Sequence, residues 1–174
     1  TETTLHSKLE TPYKLVTVNL PVVVESFVQQ NVFRGDEYTF SSYNEEQNYI
    51  GLHQTYKGKP VDNNEGSGYH LILYLNDEFE ITGYYQTYME LEQQGREQEL
   101  LTPIKAIERL YNEQLIPADT VIDHVKLGYY SHLPPSGNYQ VYTPMWQISV
   151  NDEFYYVNAI DGAIQSMDQV ESGK

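Results

Sequence analysis

The tetrapeptide Asn-Asp-Glu-Phe occurs twice, at residues 76–79 and 151–154, each time between a hydrophobic run and a second run rich in aromatic residues. A turn repeated between extended segments constrains this chain more than any other feature, because it predicts antiparallel hairpins in both halves. In the second half the order is clear. Thr102 is placed to cap a helix, Pro103 takes its first position, and Ile104, Ile107, Leu110 or Tyr111, and Leu115 mark a stripe expected to be buried, until Pro117 stops the helix. Val121, Val125, Leu127 and Tyr129 then alternate along a strand. Tyr139 to Thr143 resumes extended structure after a loop at Pro134-Pro135-Ser136-Gly137, and Pro144 is expected to interrupt pairing. Trp146, Ile148 and Val150 share one face before a turn at Asn151-Asp152. Phe154, Tyr156 and Val157 line the return, and a last turn falls at Asp161-Gly162.

The first half repeats the plan more loosely. Asn19 and Leu20-Pro21 open a helix whose apolar face is Val24, Phe27 and Val28, against the strand preference of Val22-Val23-Val24. Tyr38 and Phe40 alternate, a turn falls at 44–48, and Tyr49, Ile50, Leu52 and Tyr56 form the next strand. Lys57-Gly58-Lys59-Pro60 turns the chain, Tyr69 to Leu75 is a compact hydrophobic run, and Phe79 to Met89 a long strand. The expected fold is therefore α+β, with two similar subdomains, each a helix packed on an antiparallel sheet of about four strands. Residues 1–19 read as an N-terminal segment with one short strand, 20–90 and 101–168 as the subdomains, 91–100 as a linker, and 169–174 as a tail.

The 174 residues carry 25 acidic and 10 basic side chains, a net charge of −15, so the surface repels phosphate backbones and nucleic acid is excluded as a natural partner. With no cysteine, neither a disulfide framework nor a thiolate metal site can form. No run of 18 apolar residues spans a membrane. The chain starts at Thr1 without a methionine, the expectation for a processed or truncated product whose N-terminus held a signal or anchor.

Catalytic signatures are missing: there is no Gly-x-Ser-x-Gly, no phosphate-binding glycine loop, and His6, His53, His70, His124 and His132 show no short ligand spacing. Asp77-Glu78 and Asp152-Glu153 read as solvated turn acids. The loop Asp62 to Gly68 gathers oxygen ligands, but its glycine is misplaced for a calcium loop and no closing glutamate follows, so it reads as solvated. Arg34-Gly35-Asp36 spells an integrin-type tripeptide, and a helix-ending glycine is the better reading. No catalytic residue, cofactor or metal ligand is expected. Seventeen tyrosines are an excess that suits strands and contact surfaces.

Gln54 to Val61 and Tyr156 to Gly162 resemble strand and turn signatures of PepSY-type domains, which would make an inhibitor or chaperone of a secreted protease the alternative function. More closely, Tyr84-Tyr85-Gln86-Thr87-Tyr88, Leu101 to Glu108, Leu127-Gly128-Tyr129-Tyr130 and Pro144-Met145-Trp146, in that order, resemble the YycI (WalI) family across roughly residues 50–165. The resemblance implies a non-enzymatic accessory protein of the WalK–WalR (YycG–YycF) two-component system. Such a protein has an N-terminal transmembrane helix, missing here, and a domain outside the membrane. It acts with a YycH-like partner on the sensor histidine kinase WalK (YycG), which controls cell-wall metabolism. Tyr84, Tyr85, Tyr88, Tyr129 and Tyr130 are then the candidate protein-binding residues.

Overall fold

The computed structural model describes residues 2–16, 18–63, 68–131, 140–151 and 153–165. The chain divides into two compact units, one of Thr1–Glu92 with Ser131–Gln140, the other of Gln93–Tyr130 with Val141–Lys174. The first unit contains β1 (Glu2–Lys14), α1 (Leu20–Asn31), a 3-10 turn (Gly35–Glu37), β2 (Tyr38–Asn44), β3 (Tyr49–Tyr56), β4 (Lys59–Asn63), β5 (Leu71–Leu75) and β6 (Glu80–Met89). Its strands run in the order β1-β6-β5-β3, and β2 and β4 both pair with β3. Each of these pairings is antiparallel.

α1 packs Val24, Phe27 and Val28 onto the face formed by Ile50, Leu52, Leu71, Leu73, Leu75 and Ile81. A strand's side chains alternate between faces, so Ile81 and Tyr84 can share the core side only if the period is broken between them. The break is a bulge at Thr82: Tyr74 faces Gly83 while Leu75 faces Ile81. It brings Tyr84 opposite Leu73 and Gln86 opposite Leu71.

The second unit contains α2 (Pro103–Asn112) and the antiparallel meander β7 (His124–Ser131), β8 (Thr143–Val150), β9 (Glu153–Asn158) and β10 (Ile164–Gln165). Ala106 and Leu110 of α2 meet Ile148, Val150 and Val157 of the meander, with Ile116 closing the same cluster. Pro144 does not interrupt pairing. It sits at the second position of β8 opposite Tyr129, and its carbonyl accepts from the Ala159 N–H at 2.9 Å.

The expected pair of similar helix-on-sheet subdomains is overturned. Among the described residues the chain is mostly sheet, ten strands against two α-helices. Residues 1–19, read as a loose start with one short strand, instead contain the 13-residue β1. Lys57-Gly58-Lys59-Pro60 turns into the extra strand β4, so the first unit has six strands, while the second has four, the last only two residues long. The repeated tetrapeptide is not structurally equivalent either. At 76–79 all four residues form the turn between β5 and β6, with Asn76 Oδ1 accepting from the Glu78 and Glu80 N–H groups and Phe79 half-buried against the core. At the second copy Asn151 alone of the described residues turns, at φ 48°, and Glu153 and Phe154 already belong to β9, with Phe154 exposed. Asp152, residues 64–67 of the stretch read as a solvated loop, the loop expected at 134–137, and the tail expected at 169–174 lie outside the described residues.

Candidate protein-contact surface

α2 begins as the sequence leads one to expect. Thr102 Oγ1 accepts from the Lys105 N–H at 3.4 Å, and Pro103 stands in the first turn, where no intrahelical donor is needed. Its entry is pinned to the sheet, because the Trp146 indole donates to the Leu101 carbonyl at 2.8 Å and the Leu101 N–H donates to Ala159 O at 2.7 Å. These anchors fix the rotation of the helix about its axis.

That rotation differs from the expected one. The line facing the sheet is Ala106 and Leu110, both fully buried, with Ile107 at its margin. Ile104 is 63% exposed and Tyr111 51%, two turns apart on the outer side, and Leu100 and Leu115 extend the exposed apolar line at either end. Below Tyr111 a cavity of about 410 Å³ opens between Asn112, Gln114, Ile116 and Pro117. Beside it the Tyr155 hydroxyl donates to Glu153 Oε2 at 2.9 Å, and this bond holds the phenol above its ordinary pKa. An apolar line left in water on a rigid helix is the kind of surface a partner covers.

The five candidate tyrosines fall in both units. Tyr84 is half-buried against the core of the first unit. Tyr85 lies on the other face of β6, edge-on to His6 with ring centroids 4.6 Å apart. Tyr88 rims a groove of about 460 Å³ together with Arg34, Glu37, Tyr56, Lys57 and Leu91. There its hydroxyl donates to Glu37 Oε2 at 3.1 Å and its ring lies edge-on to Phe33, while Arg34 pairs with Glu37 at 3.0 Å and stacks over the same ring. Burial, followed by the Glu37 contact, raises the Tyr88 pKa. Tyr129 is half-buried on β7, and Tyr130 is 2% exposed, packed edge-on against Tyr156.

The Arg34-Gly35-Asp36 tripeptide is not presented as a loop. Gly35 is buried where the 3-10 turn crosses α1, and a Cβ there would collide with the Val28 carbonyl. The glycine permits this close approach and does not end the helix, since the residue in the left-handed region is Arg34, at φ 51°.

Two polar features carry no sequence signal. Gln54 closes the gap where β5 has not yet begun between β3 and β6: its Nε2 donates to Met89 O and its Oε1 accepts from Met89 N, both at 2.9 Å. The side-chain amide thus stands in for a strand residue. His53 and His70, unremarkable by spacing, lie with ring centroids 6.1 Å apart. His70 Nδ1 accepts from the Gln54 N–H at 3.2 Å, its Nε2 has no hydrogen-bond partner among the described residues, and burial followed by the His53 charge lowers its pKa to about 4. Among the described residues no group of three or more His, Cys, Asp or Glu side chains is arranged to hold a metal ion.

The family model described as YycI protein matches residues 1–160. The chain belongs to the YycI family. YycI proteins are membrane-associated accessory proteins with a regulatory role in the WalK (YycG) system. No helix among the described residues is long and apolar enough to cross a membrane. Among curated proteins nothing matches this YycI chain significantly.

Proposed function

We propose that this YycI domain is a non-enzymatic, extracytoplasmic regulator that works by contact: it binds a YycH-like accessory protein and through that complex biases the sensor kinase WalK, and with it cell-wall metabolism. The observation that supports a contact role is the exposed pair Ile104 and Tyr111 on a helix whose entry is fixed by Trp146 and Ala159, with Leu100 before it and Leu115 after it also exposed. Glu108 is exposed beside the pair, and Lys105 and Arg109 are exposed on the same helix, so the matching face on the partner is apolar with a charged rim of both signs. The tyrosine surface suggested by the sequence enters this reading through Tyr85, Tyr88 and Tyr129, which keep part of their area accessible. Binding changes kinase output only to the extent that the complex prefers one kinase state over the other.

The test is calorimetric titration of this domain into a purified YycH-like ectodomain at two salt concentrations. Saturable binding that weakens with added salt is the expected result. Absence of heat with both proteins folded and concentrated removes the contact role of the soluble domain.

A further inference from the structure

The groove rimmed by Tyr88 lies wholly within the first unit, and at about 460 Å³ it falls in the size range of small-ligand pockets, roughly 300–1,000 Å³. Gln54, its buried member, has its amide engaged by Met89, so recognition falls to the other lining side chains. Two cations stand among them, each above an aromatic ring: Arg34 over Tyr88, 5.8 Å from its centroid, and Lys57 over Tyr56, 5.9 Å from its centroid. Neither sits on a loose loop. Lys57 and Gly58 make the two-residue turn between β3 and β4, with φ of 49° and 70°, the pair of left-handed residues that closes a tight hairpin. Arg34 donates from Nη1 to Glu37 Oε1 at 3.0 Å, and the other oxygen of that carboxylate accepts from the Tyr88 hydroxyl at 3.1 Å.

The Glu37 carboxylate is thus satisfied within the groove wall. What stays open is the Nε and Nη2 edge of Arg34, which meets no partner among the described residues. That edge is the fork that takes a carboxylate through two parallel hydrogen bonds. The Asp36 carboxylate, exposed in the 3-10 turn that follows Arg34, meets no partner among the described residues either. A net charge of −15 repels an anion approaching from solution, and a doubly charged phosphate more than a carboxylate. A zwitterion escapes that repulsion, because it has no net charge while its two ends match the Arg34 fork and Asp36.

We propose that the groove binds a short zwitterionic peptide. The Arg34 fork holds its C-terminal carboxylate, with Lys57 adding a second positive charge. Its ammonium lies toward Asp36, and an apolar side chain packs among Tyr56, Tyr88 and Leu91. The Glu37 bond and the ring beneath it hold the Arg34 guanidinium in place before the ligand arrives, which reduces the ordering cost of binding. No residue of α2 takes part, so binding is read on this chain alone.

Titration of the isotope-labelled chain with the tripeptide alanyl-leucyl-alanine at physiological ionic strength, followed by amide NMR, tests the site. The expected result is saturable shifts confined to the groove, at 34–37, 54–58 and 88–91, with a Kd of about 0.1–1 mM. Amidating the peptide's C-terminus removes the charge the fork takes and raises the Kd about tenfold or more, and acetylating its N-terminus raises it about threefold or more. Arg34→Gln raises the Kd about tenfold or more, Arg34→Lys keeps the charge without the fork and recovers only part of that loss, and Asp36→Asn matches the effect of acetylation. Lys126→Gln, at an exposed position of β7 outside the groove, leaves the Kd unchanged. A urea midpoint for each variant checks that it is folded. Absence of shifts at up to about 10 mM peptide overturns the proposal. So does equal binding of the amidated peptide, a folded Arg34→Gln variant that binds as tightly as wild type, or inorganic phosphate bound as tightly as the tripeptide, which would make the groove a plain anion site.

Discussion

A single side chain, Gln54, bridges β3 and β6 where β5 has not yet begun. It is almost completely buried, and its amide makes the two bonds to Met89 that a neighbouring strand would otherwise supply. Leucine would fit the volume and the apolar surroundings but removes donor and acceptor together. Gln54→Leu is therefore expected to lower the unfolding free energy by about 2–4 kcal/mol, the cost of stranding buried polar groups. A urea midpoint and slope equal to wild type would show that the backbone closes the gap unaided. The sequence gives no hint of this role, since a glutamine within a strand pattern reads as a solvent-facing residue. Gly35 shows the same limit from the other side: a glycine after a helix suggests a cap, whereas its function is to let the 3-10 turn touch the Val28 carbonyl, a contact between elements that local propensity cannot contain. What was legible at this scale is local chemistry, such as the Thr102 cap and the turn at Asn76.

At the scale of the element, α2 separates what periodicity decides from what packing decides. Its sequence carries two adjacent apolar lines, Ile104–Ile107–Tyr111 and Ala106–Leu110, so the existence and start of the helix are legible while the face turned to the sheet is not. The Trp146 and Leu101 bonds select the second line. Leu110→Ala should then cost about 2–5 kcal/mol of stability, as for other fully buried leucines. Replacing Ile104 and Tyr111 together by serine should leave stability within about 0.5 kcal/mol, since surface substitutions away from caps and buried contacts rarely do more. If the outer line is the contact, the same pair weakens binding to the YycH-like ectodomain by about tenfold or more. Thermal denaturation alongside calorimetry separates these effects. Stability loss from the serine pair would show that α2 is turned the other way, and undiminished binding would move the contact elsewhere. The strands show a parallel lesson. β1 was hidden because its alternation pairs half-buried Leu5, Ser7 and Leu9 with an exposed polar face, a weak signal that only β6 completes.

For the molecule as a whole, pH acts through two opposed effects. Acidification neutralises carboxylates in a chain of net charge −15 and relieves its self-repulsion, which favours folding. His70 works in the other direction. It is 3% exposed, and Nδ1 can accept from the Gln54 N–H only while unprotonated, so its pKa falls from 6.5 to about 4 on folding. Above pH 6.5 the imidazole is neutral in both states and contributes no slope. As pH falls below 6.5 the unfolded chain binds a proton that the folded chain refuses, and stability declines until about pH 4, where the folded form titrates too. At about 1.4 kcal/mol per unit, the full shift is worth roughly 3 kcal/mol. His53 and Tyr69 are the ring neighbours on this side of the sheet, and His53 adds to the depression as it gains charge. Comparing wild type with His70→Gln by urea unfolding at fixed ionic strength isolates the effect, because the self-repulsion common to both cancels in the difference. The wild-type protein should lose roughly 3 kcal/mol relative to the variant between pH 6.5 and pH 4, with no relative change from pH 7 to 8. Parallel pH profiles for the two proteins would mean that His70 already reaches solvent in the folded state, and the buried join between β3, β5 and β6 would then be open to water.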